Sequence, residues 1–187
     1  MNLADNLRAT AAAHPDQVAI KLDDLALNYA VLDQVTQRVV GLLRERGVQP
    51  GDRVAVMLPN VPYFPAVYYG ILRAGAIVVP LNVLLKAREV AYHLSDSGAR
   101  LVFAWHDFGE AAEAGAREAG TECILVKPGE IEQVVFAADA VEEIVDRAPQ
   151  DTAVILYTSG TTGTPKGAEL THANLQRNAE VSATLIT

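Results

Sequence analysis

Apolar residues recur along the chain in two rhythms, one helical and one strand-like. In the opening NLADNLRATAAAHP, Leu3, Leu7 and Ala11 share a helical face and Pro15 follows as a stop, which predicts a short amphipathic helix. Val18 to Leu22 and Leu25 to Tyr29 flank Asp23-Asp24 and predict a small hairpin. From Tyr29 to Arg46, Leu32, Val35, Val39, Leu42 and Leu43 keep helical spacing, basic residues fill the last turn, and Gly47 stands where a helix-ending glycine belongs.

Compact apolar runs then alternate with helical segments. Val54 to Leu58, Ile77 to Val79, Arg100 to Ala104 and Glu122 to Val126 read as strands. Between them, Pro62 to Ala74, Lys86 to Ser97 and an Ala-rich stretch from Phe108 to Ala119 read as helices. Strands separated by helices of about 10 to 15 residues predict an α/β fold, a mainly parallel sheet flanked by helices. The pattern weakens between Lys127 and Thr152. There Pro128-Gly129 marks a turn, and Ile131 to Phe136 suits either a strand or an edge segment. Acidic residues from Asp139 to Asp146 predict a short exposed helix within an irregular connector over 127–152. Ala153 to Tyr157, AVILY, returns as a buried strand.

Composition narrows what such a fold can bind. The 187 residues have room for one sizeable domain, and half of them are hydrophobic. With 15 basic against 23 acidic residues the formal charge is −8, which repels nucleic acid and anionic membrane, so an anionic ligand has to be held locally. Cys123 is the sole cysteine and forms no internal disulfide, and no basic segment followed by an apolar one opens the sequence; a reducing cytoplasm fits best. The longest apolar stretch, Gly75 to Leu85, carries Pro80 and Asn82 and falls short of the roughly 20 residues of a membrane span.

One segment carries chemistry. Thr158 to Gly167 reads TSGTTGTPKG directly after the AVILY strand. A polyphosphate needs close backbone approach, several donors and a cation. Gly160, Gly163 and Gly167 remove side-chain bulk and allow positive φ, and Thr158, Ser159, Thr161, Thr162 and Thr164 supply hydroxyls. Lys166 supplies the charge, with Pro165 fixing the backbone before it. Thr171 reads as the N-cap of a following helix, and a strand, a glycine-rich turn and a nearby helix N-terminus form a recurrent phosphate geometry. A plain Gly/Thr surface loop is the competing reading, disfavoured by how fully the order of residues is specified. Lys166 is followed by Gly167 rather than Ser or Thr, which disfavours a Walker A loop, and the glycines do not match GxGxxG.

YTSGTTGTPKG followed by LTHANL resembles the signature loop of the AMP-forming adenylating enzymes, which include acyl-CoA synthetases. Upstream, NYAVLDQVTQRVVGLLRERGVQPGDRVAVMLPN, YYGILRAGAIVVPLN and YHLSDSGARLVF are similar to the same superfamily, and the PLN at Pro80 to Asn82 resembles its acyl-CoA synthetases. The resemblance implies that residues 1–187 are the N-terminal portion of an adenylation domain that continues beyond Thr187. It implies that Thr158, Ser159, Gly160, Thr161, Thr162 and Lys166 contact the β- and γ-phosphates of ATP, with Gly163 and Gly167 in the same loop. The implied reaction activates a carboxylic acid, fatty or aryl, to an acyl-adenylate and pyrophosphate, then passes the acyl group to coenzyme A. Mg²⁺, adenine and ribose contacts are expected mostly outside this segment, so the segment alone is expected to be inactive. Delivery to a carrier protein and a nonenzymatic α/β nucleotide-binding module are the alternatives, and a dimer stays open as the assembly state. Ala168-Glu169 departs from the family pattern, and Glu169 lies close enough to Lys166 in sequence to compete with phosphate for it, with a minor effect expected.

The remaining polar candidates read as structural. His14, His93 and His106 lack metal-ligand spacing, while His172 is balanced between a capping role and support of the phosphate. Cys123 reads as a small core residue without a nucleophile's partners. Tyr63, Phe64, Tyr68 and Tyr69 read as core packing or a subunit contact rather than an acyl tunnel, and Glu142-Glu143 as a solvated face.

Overall fold

The computed structural model describes residues 1–158 and 164–186. Helix α1 (Ala4–Ala13) precedes a two-stranded hairpin of β1 (Val18–Leu22) and β2 (Leu25–Asn28), then the long α2 (Tyr29–Glu45). The regular alternation follows as β3 (Arg53–Met57), α3 (Tyr63–Arg73), β4 (Ile77–Pro80), α4 (Ala87–Ser97), β5 (Ala99–Trp105), α5 (Gly109–Ala119) and β6 (Glu122–Val126). Helix α6 (Ile131–Ala137), β7 (Thr152–Thr158), β8 (Lys166–Thr171) and α7 (His172–Ile186) complete the described chain. The hairpin, α2 ending at the positive-φ Gly47, and the βα alternation stand where the hydrophobic rhythm predicts them.

The main sheet has the order β6-β5-β3-β4-β7-β8 and is parallel except for the antiparallel edge pair β7–β8. Its central strands β3, β4 and β5 are apolar at successive positions because both faces are covered. Val54 and Val56 of β3, Leu101 and Phe103 of β5, and Val154 of β7 pack into one layer with α2 and α3. The intervening Ala55, Met57, Val102 and Ala104 pack into the other with α4 and α5. Cys123 packs against this second layer, and burial pushes its thiol up to about 11, consistent with a core residue and not a nucleophile. Tyr63, Phe64, Tyr68 and Tyr69 pack against the first.

Helix α4 is fixed firmly at both ends and along its side. The Lys86 amide donates to Glu89 Oε2 at 2.8 Å at the start, and at the end the Arg53 guanidinium donates to the carbonyls of Ser97 (2.8 Å) and Gly98 (2.9 Å), which would otherwise lack partners. Against α5, a Cβ on Gly115 would lie 2.6 Å from the Ala87 carbonyl oxygen and from Val90 Cβ. Gly115→Ala is therefore expected to lower the unfolding free energy by about 1–3 kcal/mol, read as a lower urea midpoint at unchanged slope.

The stretch from 127 to 152 corrects the sequence reading. Ile131–Ala137 is helical rather than a strand or edge segment, and 139–148 has no regular secondary structure where a short exposed helix was expected. The reason is long-range. The Val141 amide donates to the Gln37 carbonyl (3.0 Å) and Val145 to that of Arg73 (2.9 Å), so the strap is satisfied by α2 and α3. A Cβ on Gly41 would lie 2.0 Å from the Asp139 carbonyl oxygen, which shows how closely strap and helix meet. Arg73, buried under the strap, pairs with Asp33 at 2.6 Å and donates to the Glu142 carbonyl at 2.7 Å.

The N-terminus is clamped to the same region. Asn2 Nδ2 donates to the Leu72 (2.6 Å) and Val145 (2.9 Å) carbonyls, and the Leu3 amide donates to His172 Nδ1 at 3.0 Å. That last bond requires an unprotonated Nδ1. Burial, with the nearby Arg147 charge, holds the buried His172 below its ordinary value of 6.5. The unfolded chain then binds the proton more readily, so this contribution is complete above about pH 6.5 and is lost as the pH falls below it. His172→Gln is expected to flatten the decline of thermal stability between about pH 6.5 and 5, measured by scanning calorimetry.

Candidate functional site

The antiparallel pair β7–β8 organises the site. Its register sets Tyr157 opposite Gly167 and Thr158 opposite Lys166 at the end of the hairpin where β7 stops and β8 begins. Directly opposed residues share a face with Cβ atoms about 5 Å apart, which brings the Thr158 hydroxyl and the base of Lys166 together. Both residues are exposed, and among the described residues the Lys166 ammonium has no ion-pair partner. Ser159, Gly160, Thr161, Thr162 and Gly163 lie outside the described residues.

A cleft of about 720 Å³ opens beside this end, where the C-terminal ends of β4 and β7 face α4. Pro80, Asn82, His93, Tyr157, Thr158 and Thr164 line it. Open parallel sheets carry their ligands outside the C-terminal ends of the strands, and the cleft lies there. Asn82 turns the chain at its rim by accepting the Leu84 amide on Oδ1 at 2.9 Å. His93 is buried and its Nδ1–H donates to the Glu89 carbonyl at 2.6 Å, a local structural bond that fixes the tautomer. Its ring lies edge-on to Tyr157, with centroids 4.4 Å apart.

The two chain ends around residues 159–163 are each tied to α4. The Tyr157 hydroxyl donates to Asp96 Oδ2 at 2.6 Å, and the Tyr92 hydroxyl donates to the Pro165 carbonyl at 2.8 Å. Burial first, then the Asp96 hydrogen bond and charge, raise the Tyr157 phenol, so it stays protonated and a donor at neutral pH. No sequence motif announces Tyr92, Asp96 or Tyr157 as partners, because each bond spans more than 60 residues.

Three sequence expectations are revised. Lys166 and Gly167 belong to a strand and not to a free loop, and β8 intervenes before α7. The N-terminus of α7 therefore sits at the far end of the hairpin, where the His172 amide meets the Asp151 carbonyl (3.1 Å), about 20 Å from Lys166 along a six-residue strand. It lies away from Thr158 and Lys166, and His172 accepts the Leu3 amide in the N-terminal clamp. Second, Gly167 is not among the positive-φ glycines. A Cβ there would lie 2.9 Å from Ile155 Cγ2 and 3.3 Å from the Tyr157 ring, so its identity makes room for neighbouring side chains. Third, Glu169 stands three strand positions from Lys166 and so on the opposite face; its carboxylate accepts the Thr152 hydroxyl at 2.5 Å. Competition with phosphate for Lys166 is removed by the pleat. Among the described residues no three His, Cys, Asp or Glu side chains gather as metal ligands.

Sheet, flanking helices and the cleft at the strand ends define an open α/β domain of the ligand-binding kind. The chain belongs to the AMP-binding enzyme family, whose description matches residues 7–186. It is 38% identical over 168 residues to a feruloyl-CoA synthase of Amycolatopsis, covering 90% of this chain and 33% of that protein. To the long-chain-fatty-acid–CoA ligase FadD13 of Mycobacterium tuberculosis it is 33% identical over 182 residues, covering 96% and 36%. The crystal structure of a benzoate CoA ligase from Burkholderia xenovorans superposes with a TM-score of 0.88 at 28% identity, covering 96% of this chain and 36% of that one. The chain thus spans about a third of the length of the curated relatives it matches. The α/β fold is that of the N-terminal region of adenylate-forming enzymes.

Proposed function

We propose that this chain forms the N-terminal part of the adenylation domain of an acid–CoA ligase, and that Thr158 to Gly167 holds the β- and γ-phosphates of ATP. The observation that carries this reading is the pairing of Thr158 with Lys166 where β7 stops and β8 begins, beside a cleft at the C-terminal ends of β4 and β7. Ser159, Gly160, Thr161, Thr162 and Gly163 complete the segment in sequence. When a carboxylate attacks the α-phosphorus, the α–β phosphoanhydride bond breaks and negative charge grows on the departing pyrophosphate. Hydroxyl donors and the Lys166 ammonium aimed at that charge lower the barrier. The product is an acyl-adenylate, from which the acyl group passes to the thiol of coenzyme A.

The acids named for the relatives, feruloyl, fatty acyl and benzoyl, support a fatty or aryl acid as substrate. Mg²⁺ is assigned to the phosphates with ligands beyond those described, and its added charge would work alongside Lys166. The net charge of −8 supports small-molecule partners over nucleic acid, and a cytoplasmic setting supplies ATP and coenzyme A. Among the described residues no helix is long and apolar enough to cross a membrane. Screening carboxylic acids for AMP release by the product of the complete open reading frame, with and without coenzyme A, tests the reading. Acid-dependent AMP formation with a thioester product supports it, and absence of AMP with every acid sinks it.

A further inference from the structure

We propose that Tyr92 and Asp96 of α4 are positioning residues that hold the two strand ends bracketing residues 159–163 and thereby set the reach of Lys166. The two side chains are four residues apart, one helical turn, and so stand on a single face of α4. From that face Asp96 takes the Tyr157 hydroxyl, one residue before the end of β7 (2.6 Å), and Tyr92 takes the Pro165 carbonyl, one residue before the start of β8 (2.8 Å). One rigid helix therefore grips both strands at the connected end of the hairpin.

The grip matters because of where the hairpin lies. β8 is an edge strand paired within the sheet only to β7, and Pro165 has no amide hydrogen with which to secure itself. The Tyr157 ring is wedged between His93, at 4.4 Å, and the space left by Gly167. Helix α4 can act as the fixed reference because Arg53 satisfies its C-terminal carbonyls and Gly115 lets α5 approach it closely. The functional consequence rests on the phosphate reading of Thr158 to Gly167, whereas the mechanical claim stands on these contacts alone.

Hydrogen–deuterium exchange and titration with inorganic pyrophosphate, both on the 187-residue chain, separate the two. Tyr92→Phe keeps the ring and removes only the donor, and Asp96→Ala removes the acceptor at an exposed helix position. Each is expected to raise amide exchange at residues 164, 166 and 167 about fivefold, the worth of one hydrogen bond open to solvent, while β3 and β5 are unchanged. Pyrophosphate affinity is expected to fall by a similar factor of about five. Asp96→Asn, which retains an oxygen to accept from Tyr157, is expected to restore both readouts. Unchanged exchange at 164–167 in Tyr92→Phe and Asp96→Ala overturns the positioning role. If the unsubstituted chain does not bind pyrophosphate, the phosphate reading falls, and the exchange data alone then support or overturn the grip.

Discussion

Lys166→Ala is expected to weaken pyrophosphate binding by about ten- to a hundredfold while leaving the unfolding midpoint nearly unchanged. The side chain is exposed on an edge strand, so truncation removes little buried contact. It does remove a charged donor, whose bond to an anion contributes about 1.5–3 kcal/mol. If the complete protein is the ligase proposed above, the expected loss is larger, about a hundred- to a thousandfold in acid-dependent exchange of pyrophosphate into ATP, because charge accumulates on the leaving group only as the bond breaks. Transfer from a preformed acyl-adenylate to coenzyme A no longer involves pyrophosphate and is expected to slow much less. Equal loss in both half-reactions would argue that Lys166 acts through folding or through the acyl site instead.

Arg73→Met is expected to be the most damaging of the substitutions considered for stability, costing about 3–5 kcal/mol. Arg73 is buried, and it ties three parts of the chain together: Asp33 (2.6 Å) and Thr36 (3.2 Å) of α2, its own α3, and the strap through Glu142 (2.7 Å). Removing the guanidinium leaves the largely buried Asp33 carboxylate without its cation and frees the strap carbonyl. Against a total stability of about 5–15 kcal/mol the loss is a large fraction. A lowered urea midpoint measures it, and adding Asp33→Leu is expected to recover part of the deficit because the stranded charge goes with it. A midpoint shift worth less than about 1 kcal/mol would show that the strap is held by its backbone bonds alone.

How much of this was legible beforehand follows the range of the interactions. The β3 to β6 alternation was readable because each element buries a local apolar rhythm, and Gly47 and Thr171 marked helix ends through bonds within a few residues. The strap was unreadable because its backbone partners lie far upstream, Gln37 104 residues before Val141 and Arg73 72 residues before Val145. β8 was missed for a related reason. KGAELT shows little apolar alternation, and only its pairing with AVILY makes it a strand. At the site, residue types at Thr158 and Lys166 were visible, whereas their direct opposition and the anchoring by Tyr92 and Asp96 required the sheet and α4 to be assembled. The same assembly separated Glu169 from Lys166 and moved the α7 N-terminus away, leaving hydroxyls and one lysine to carry the phosphate reading.

Titrating pyrophosphate into the isotopically labelled 187-residue chain and following amide shifts by NMR tests the central claim most directly. Saturable shifts confined to Thr158 through Gly167, abolished by Lys166→Ala, are the predicted result. Shifts that centre on the α7 N-terminus near His172, or that persist undiminished in Lys166→Ala, would contradict it.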